Sequence, residues 1–227
     1  MAPTYFRREP GIERSDGHRG SAFLQRGSKL DHLPPASASD TEKAALRRQA
    51  IARRDALPAS ERQQAAETVA KRQFPIPIAA GAIVAGFMPM KSEFNPLPLM
   101  RKLADAGASL ALPVVSGRGS PLTMRAFRFG EPLAAGVWGI REPLPSAPVV
   151  APDILLVPLL AFDRRGHRIG YGAGYYDMTI AALRAEKVIV AVGLAFAGQE
   201  IPAVPSTPRD ALLDLVLTEH EVIDLRG

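Results

Sequence analysis

The sequence lacks cysteine altogether: none of its 227 residues is one, and aromatic residues make up only 6%. Without cysteine there are no disulfide bonds, no thiolate metal ligands and no cysteine nucleophile, which excludes disulfide-stapled scaffolds and thiol redox enzymes. The composition fits a reducing compartment. At roughly 100 to 200 residues per domain, the chain has room for one fairly large domain with a substantial core.

Long hydrophobic runs are also missing. The longest, Ile154 to Phe162, contains a proline and is followed by Asp163, whereas a membrane-spanning helix needs about 18 or more consecutive apolar residues. The start of the chain, Met1 to Asp40, holds six basic and five acidic residues and no continuous apolar centre, unlike a secretory signal. We therefore expect a soluble, cytoplasmic protein that associates with no membrane.

The same N-terminal stretch is rich in glycine, serine, proline and arginine, and it shows neither a helical nor a strand period. It ends in the turn-forming run Leu33 to Ser37. This composition predicts a disordered N-terminal extension over 1–40 and a single folded domain over 41–227.

Two amphipathic helices are predicted at the start of that domain. The pair Asp40-Thr41 can cap the first helix, whose apolar positions recur three to four residues apart up to Arg54. Ser60 can cap the second helix, which continues to Phe74 and is stopped by Pro75.

The remaining sequence alternates short apolar runs with helical or loop segments, which is typical of an α/β domain with a largely parallel sheet. A helix over Pro96 to Gly107 lies between the first two runs, and Pro132 to Pro152 is predicted as an ordered surface connection. We expect an open, mixed but largely parallel sheet with helices on both faces, preceded by the two N-terminal helices. The runs are Ile83 to Phe87, Leu110 to Val115, Met124 to Phe129, Ile154 to Phe162, Val188 to Phe196 and Leu213 to Thr218.

The segment with the clearest chemistry runs from Arg168 to Asp177 and reads Arg-Ile-Gly-Tyr-Gly-Ala-Gly-Tyr-Tyr-Asp. It follows a predicted buried strand and precedes a helical stretch, and loops at the carboxyl ends of strands in open α/β sheets bind ligands. Its glycines let backbone N–H groups approach an anion, and the helix start adds positive charge. Arg168 is suited to phosphate or carboxylate oxygens and Asp177 to magnesium.

This loop is neither a Walker motif, which needs Gly-Lys-Ser/Thr, nor a dinucleotide fingerprint. It therefore predicts a magnesium-nucleotide site of another type. The alternative is a plain glycine turn packed under tyrosines, which the density of arginine, tyrosine and aspartate among the glycines makes less attractive.

The loop also carries a resemblance to a known family. From Leu156 to Asp177 the sequence resembles the signature of the 5-formyltetrahydrofolate cyclo-ligases, also called methenyltetrahydrofolate synthetases. Further pieces occur in the family's order, so the resemblance extends from Thr41 to Val222. These pieces are Lys43 to Arg47, Phe87 to Glu93, Leu110 to Val115, Ile201-Pro202, Arg209-Asp210 and Leu213 to Glu219.

The resemblance implies an ATP-dependent reaction: ATP phosphorylates the formyl oxygen of 5-formyltetrahydrofolate, N10 attacks the activated carbon, and ADP and phosphate are released with 5,10-methenyltetrahydrofolate. It implies that Arg168 and Tyr175 are catalytic and that magnesium binds Asp177 and Asp210. Asp210 read alone is as well explained as a cap for the run that follows it.

The resemblance also implies the two binding sites. Lys43 and Arg47 are four residues apart, hence on one helix face, although alone they are more typical of a solvated basic face. Glu93 would accept hydrogen bonds from a pterin ring, while Phe87 read alone is more often plain core. The implied ATP site is Lys43, Arg47, Arg168, Ile169, Gly170, Tyr171, Gly172, Ala173, Gly174, Tyr175 and Tyr176. The implied folate site is Phe87, Met88, Glu93, Trp138, Tyr171, Gly172, Ala173, Gly174 and Tyr175.

Three sites depart from the family pattern: Ala173 replaces a glycine, Met178 an arginine, and Asn95-Pro96 a polar pair after the glutamate. The alanine is tolerable if its backbone angles are ordinary. Met178 keeps open a diverged paralogue that binds a folate-like heterocycle but catalyses another reaction. A basic nucleic-acid-binding protein, suggested by a pI of about 9.8, is a weaker alternative because no recognition motif accompanies the charge. We expect no specific nucleic-acid partner and a monomer or weak homo-oligomer.

Overall fold

The structure, a computed structural model, describes the backbone of residues 38–226 and the side chains from Thr41 onward. The predicted disordered extension over 1–40 lies outside the described residues except for the backbone of 38–40, which is helical. In chain order the helices and strands are α1 (Ala38–Asp55), α2 (Ala59–Lys71), β1 (Ile83–Ala85), α3 (Leu97–Asp105), β2 (Ser109–Val114), β3 (Thr123–Phe127), β4 (Leu133–Ala135), β5 (Arg141–Pro143), β6 (Ile154–Pro158), β7 (Ala161–Phe162), β8 (Arg168–Ile169), α4 (Tyr175–Glu186), β9 (Val190–Leu194), β10 (Leu215–Leu217) and β11 (Val222–Asp224).

Seven of these strands form one sheet in the order β11-β10-β9-β6-β1-β2-β3. The five central strands, β10, β9, β6, β1 and β2, run parallel to one another, while each edge strand, β3 or β11, pairs antiparallel with its neighbour. Parallel neighbours need crossover connections; α3 connects β1 to β2, and α4 lies in the connection from β6 to β9. The expected open, mixed and largely parallel sheet is confirmed.

Helices cover both faces of this sheet, because alternate residues of each strand point to opposite sides. In β6, Ile154 and Leu156 pack in one hydrophobic cluster with residues of α2 and α3, such as Val69 and Leu103. Leu155 and Val157 pack in the other cluster with Ile180 of α4. Since both faces are buried, the central strands are nearly all apolar, which is why their runs were visible in the sequence.

The first helix lies against the segment that follows β6. Leu46 and Ala50 of α1 pack with Leu160, Ala161 and Ile169 in a third, smaller cluster. These partners come directly after the carboxyl end of β6, so α1 is held at the sheet edge where the glycine loop begins. No helix within residues 38–226 is both long enough and apolar enough to cross a bilayer.

Helix boundaries differ from the sequence predictions. The first helix begins at Ala38, so Asp40 and Thr41 lie inside it rather than capping it. Ser60 also lies inside α2, which follows Pro58 and has no side-chain cap. The second helix ends at Lys71, before Phe74 and its prolines, where Lys102 of α3 donates a 2.7 Å hydrogen bond to the carbonyl of Arg72. A tertiary contact, rather than a local cap, thus satisfies part of this helix end.

The long connection over 132–152 contains a small hairpin that was not predicted. Strands β4 and β5 pair antiparallel, and their turn contains two adjacent residues with positive φ, Trp138 at 58° and Gly139 at 75°. Strands of three residues are too short to show a period of two in the sequence. The hairpin places Trp138 near Tyr175, the first residue of α4.

Candidate nucleotide and folate site

The glycine loop is anchored by short strands on one side and a helix on the other. Strand β8 pairs antiparallel with β7, matching Arg168 with Phe162. The loop then leads into α4, whose N-cap is Gly174 with φ at 71° and no side-chain cap. The first backbone N–H groups of α4 are therefore left for an external acceptor, as at the helix N-termini that bind phosphate.

Gly172 is the position in this loop that most requires glycine. Its φ is +99°, and a methyl group added there would lie 3.2 Å from Cζ of Arg47. Ala173 is not among the described non-glycine residues with positive φ, so the departure from the family pattern at Ala173 is compatible with the backbone, as the sequence analysis required.

We expect Gly172→Ala to lower the free energy of unfolding by about 1–3 kcal/mol, because the new residue must adopt a backbone conformation that is costly for L-residues. Chemical denaturation measures this. The matched control is Gly170→Ala, two residues earlier in the loop, where φ is not positive and a methyl group meets no atom within 4 Å. Equal stability of the two variants would contradict the account of Gly172.

The arginine that opens the loop is almost completely buried and already held in place. The Arg168 side chain is 5% exposed, and its Nη2 donates to Oδ1 of Asp177 at 2.7 Å. Its Nη1 donates to the carbonyl of Ala211. Burial lowers the pKa of Arg168, although Asp177 opposes this effect, and a guanidinium remains charged at any ordinary pH. Two of its five N–H donors are used in this way, and the geometry fixes the direction of the rest.

Two carboxylates adjoin this arginine. Asp177 accepts a 3.1 Å hydrogen bond from the backbone N–H of Ala211, the residue that follows Asp210. Asp210 accepts from Lys43 Nζ at 2.7 Å and from the N–H of Thr207 at 2.6 Å. Burial works against ionisation of Asp210, but these two donors hold its pKa below the ordinary value.

The donor chemistry of this pair fits magnesium. Mg²⁺ takes hard oxygen ligands and is commonly bound through one or two carboxylates plus substrate phosphates and water. Asp177 and Asp210 supply two carboxylates, one of them depressed in pKa. No group of three or more histidine, aspartate or glutamate side chains suited to a metal occurs in the described part of the chain.

The cations predicted on the first helix reach this region. Besides the contact of Lys43 with Asp210, Arg47 Nε donates to the carbonyl of Gly170 at 2.9 Å. Both predicted cations therefore touch the glycine loop or its carboxylate neighbour, and neither belongs to a solvated basic face.

A buried carboxylate lies next to Tyr171 of the loop. Glu93 is 7% exposed and accepts a 2.8 Å hydrogen bond from the N–H of Met90. Burial raises its pKa, while the N–H of Met90, the charge of Arg54 and the hydroxyl of Tyr171 act against this rise. Glu93 sits in the turn after β1, and Tyr171 lies in the glycine loop, so the two loops meet here.

The aromatic residues predicted for the folate site divide into two groups. Trp138, 63% exposed, approaches Tyr175 with ring centroids 6.1 Å apart. Tyr171 is also exposed, at 46%. Phe87, in contrast, is 3% exposed and packs in the core cluster beneath the sheet, so it offers almost no surface to a ligand. Met88 is half-buried, and its predicted role stays a prediction.

Two further residues shape the site that were not singled out in the sequence. Asp163 is fully buried and accepts hydrogen bonds from the N–H groups of Arg165, His167 and Val204, so it fixes the turn before the loop. Arg54 is 2% exposed and bonds Tyr171. Its spacing was a usable signal, because 43, 47, 50 and 54 form one helical stripe.

Cations and paired carboxylates thus adjoin a glycine loop, and a buried carboxylate and aromatic rings adjoin it as well, at the carboxyl edge of a largely parallel sheet. This is the layout of a nucleotide-dependent α/β enzyme that acts on a flat, polar heterocycle.

Comparison with known proteins names the family. The model of the 5-formyltetrahydrofolate cyclo-ligase family matches residues 39–219, and the chain belongs to this family. It is 32% identical over 197 residues to a 5-formyltetrahydrofolate cyclo-ligase of Mycolicibacterium smegmatis, covering 83% of this chain and 100% of the relative. A cyclo-ligase of Escherichia coli is 30% identical over 183 residues, covering 75% of this chain and 96% of the relative.

The fold agrees with a solved structure. The NMR structure of Aquifex aeolicus 5,10-methenyltetrahydrofolate synthetase matches with a TM-score of 0.68 and 30% identity, covering 82% of this chain and 93% of the other. The resemblance seen in the sequence is therefore confirmed over nearly the whole described domain.

Proposed function

We propose that the protein converts 5-formyltetrahydrofolate and ATP to 5,10-methenyltetrahydrofolate, ADP and phosphate, and that the glycine loop over 168–177 brings the two substrates together. The observation that carries this proposal is the position of the loop. Arg168 at its start contacts Asp177, beside Asp210, while Tyr171 in its middle contacts Arg54 next to Glu93. One loop therefore borders both a phosphate-binding side and a heterocycle-binding side.

The phosphate side would bind ATP. Lys43 and Arg47 supply two cations from α1, and the loop over 169–176 supplies backbone N–H groups at the start of α4. Arg168 has N–H donors left after its two contacts and would donate them to the phosphoryl group that is transferred. Its guanidinium is pre-positioned, so little reorganisation is needed as charge spreads over the phosphoryl oxygens.

A magnesium ion would be held by Asp177 and Asp210. When bound it would neutralise negative charge on the phosphate oxygens. Both carboxylates are paired with cations, Arg168 and Lys43, so these four side chains together carry no net charge.

The other side would bind the folate. Glu93 is a buried acceptor suited to the N–H groups of a pterin ring, and Trp138 with Tyr175 provides an aromatic wall. In this position Tyr175 lies between the phosphate side and the heterocycle, which is where the reacting atoms must meet.

The chemistry balances without a further reactant. The formyl oxygen takes the terminal phosphoryl group of ATP and ADP leaves; N10 then attacks the activated carbon and loses its proton. The bond from carbon to the phosphorylated oxygen breaks, releasing phosphate and the methenyl product. The residues described above position the two substrates and stabilise the charge.

A direct assay tests the overall reaction. Purified protein is mixed with 5-formyltetrahydrofolate, ATP and magnesium, and the absorbance of the methenyl product is followed. We expect product that depends on ATP and falls when magnesium is chelated. Folded protein that binds ATP yet forms no product would favour the diverged paralogue suggested by Met178. The cytoplasmic location and the monomeric or weakly oligomeric state stay predictions.

A further inference from the structure

One arginine on the first helix is buried where arginines are seldom found. Arg54, near the end of α1, is 2% exposed and reaches across to two other segments. Its Nε donates to Oγ of Ser92 at 3.1 Å and its Nη2 to the hydroxyl of Tyr171 at 2.6 Å. The guanidinium carbon lies 5.7 Å from the centre of the Tyr171 ring. A single side chain therefore ties α1 to the turn after β1 and to the glycine loop.

This burial is not explained by stability. Among the side chains described, from Thr41 to Arg226, no carboxylate lies within ion-pair distance of the Arg54 guanidinium. Its Nη1 is buried and has no hydrogen-bond partner there. A buried charge without a close counter-ion, with an unused donor, weakens the folded state compared with an apolar side chain of similar size. Such costs are typically retained at functional sites.

Two carboxylates lie near Arg54. Asp55 of α1 accepts a hydrogen bond from the same Ser92 hydroxyl that accepts from Arg54. The other is Glu93, which follows Ser92 directly; the positive charge of Arg54 acts on it, as does the hydroxyl of Tyr171. Burial and, after it, the negative charge of Glu93 raise the pKa of Tyr176 in α4. The groups around Glu93 are thus Arg54 from α1, Tyr171 from the glycine loop, Tyr176 from α4 and the N–H of Met90 from its own turn. Arg54 is the only cation among them.

We infer that Arg54 is a positioning residue for the folate: its contacts with Ser92 and Tyr171 fix the Ser92-Glu93 turn and direct the Glu93 carboxylate at the heterocycle. This inference rests on the proposed function of the same site. It assigns to α1 a second task, since Lys43 and Arg47 serve the phosphate side while Arg54, two turns further along the same stripe, serves the folate side.

The consequence is a defect in folate binding that depends on pH. Without Arg54 the buried Glu93 loses the cation that opposes the rise of its pKa, so the carboxyl group binds a proton at higher pH than in the parent. A protonated Glu93 is uncharged, and one of its oxygens carries a proton, so it no longer accepts hydrogen bonds from two N–H groups of the pterin ring. We expect Arg54→Met to raise the KM for 5-formyltetrahydrofolate about 10-fold to 100-fold, the range of a hydrogen bond to a charged group. The ratio of variant KM to parent KM should be largest at pH 6 and smaller at pH 8.

The experiment compares four proteins: the parent, Arg54→Met, Arg54→Lys and Arg48→Gln. Arg48 is an exposed arginine on the same helix, so Arg48→Gln controls for loss of charge. For each protein KM and kcat are measured for both substrates at pH 6, 7 and 8, together with the melting temperature. Binding of 5-formyltetrahydrofolate without ATP is measured by equilibrium dialysis.

We expect Arg54→Met to melt close to the parent, to lose folate affinity and to change the KM for ATP less than 3-fold. Arg54→Lys keeps the positive charge but cannot bond Ser92 and Tyr171 at the same time. Its folate KM should therefore lie between those of the parent and Arg54→Met, and it should show little of the pH dependence expected for Arg54→Met. Equal folate KM values in Arg54→Met and Arg48→Gln, or a pH-independent loss in kcat alone, would overturn the inference. If Arg54→Met is too unstable to assay, an Arg54→Lys with the parent's folate KM at all three pH values would overturn it as well.

The parent distinguishes this failure from failure of the function. A parent that neither binds nor converts 5-formyltetrahydrofolate overturns the proposed function and the role of Arg54 with it. If the parent binds and converts 5-formyltetrahydrofolate and Arg54→Met has the same folate KM as the parent, only the role of Arg54 is overturned.

Discussion

Replacing Arg168 by alanine is expected to lower kcat/KM for ATP by about a hundredfold to a thousandfold, the effect of removing one preorganised donor to developing negative charge. The reason is the fixed position of this guanidinium. Asp177 and the carbonyl of Ala211 hold two of its donors, and only 5% of the side chain is exposed. The charge is therefore already in place, in surroundings where it acts strongly on a phosphoryl group.

Steady-state kinetics with varied ATP measures this effect, and circular dichroism establishes that the variant is folded. The matched control is Arg184→Ala, because Arg184 is also paired with an aspartate, Asp214, at 2.7 Å but lies late in α4. We expect the control to stay within 3-fold of the parent. A further variant, Arg168→Lys, keeps the positive charge but loses the planar, two-pronged guanidinium. Its kcat/KM for ATP should lie between that of Arg168→Ala and that of the parent. Equal kcat/KM in Arg168→Ala and parent would place the phosphate-binding cation elsewhere.

Asp177→Asn is expected to reduce turnover at saturating ATP by about a hundredfold and to raise the magnesium concentration needed for half-maximal rate at least about tenfold, since a hard anionic ligand is replaced by a neutral amide. The change should leave folding nearly intact. An asparagine oxygen still accepts from Arg168 and from the N–H of Ala211, the two donors that Asp177 bonds now.

Asp153→Asn is the control for this substitution. Asp153 likewise accepts a backbone N–H, from Ile83, and pairs with a cation, Lys187, but it precedes β6 at the opposite end of the strands. Magnesium titrations of the activity are compared for the two variants and the parent. If Asp177→Asn had the parent's magnesium dependence and turnover, the carboxylate would have no metal role and the fit to magnesium would be wrong.

Much of the scaffold was predictable because the central strands are buried on both faces. The run at Ile154 shows this, since Ile154 and Leu156 enter one cluster and Leu155 and Val157 the other. The short hairpin and the helix ends were not predictable, because too few residues pair to give a pattern in the sequence or because the end depends on a contact from another element. The hairpin that carries Trp138 pairs only three residues on each side, and the ends of α2 depend on Lys102 from another helix.

The candidate site followed from the sequence where neighbours along the chain also lie together. The loop over 168–177 is one segment, and the four-residue spacing of Lys43 and Arg47 placed both on one face of α1. Residues that act through long-range contacts were harder to identify. The sequence does not show that Asp163 is completely buried, and for Arg54 it offers only the helical spacing from Lys43 and Arg47, whereas the fold shows a side chain that is 2% exposed. Phe87 shows the reverse, because the family pattern suggested a ligand contact and the fold places it in the core.

The central claim is that the terminal phosphoryl group of ATP is transferred to the formyl oxygen of the folate. Isotope transfer tests this most directly. 5-Formyltetrahydrofolate labelled with ¹⁸O in the formyl group is converted with unlabelled ATP, and the released phosphate is examined by mass spectrometry. We expect one ¹⁸O atom in each phosphate, because the bond that breaks joins the carbon to the phosphorylated oxygen. Unlabelled phosphate, with methenyl product formed and the label released as water, would contradict the account.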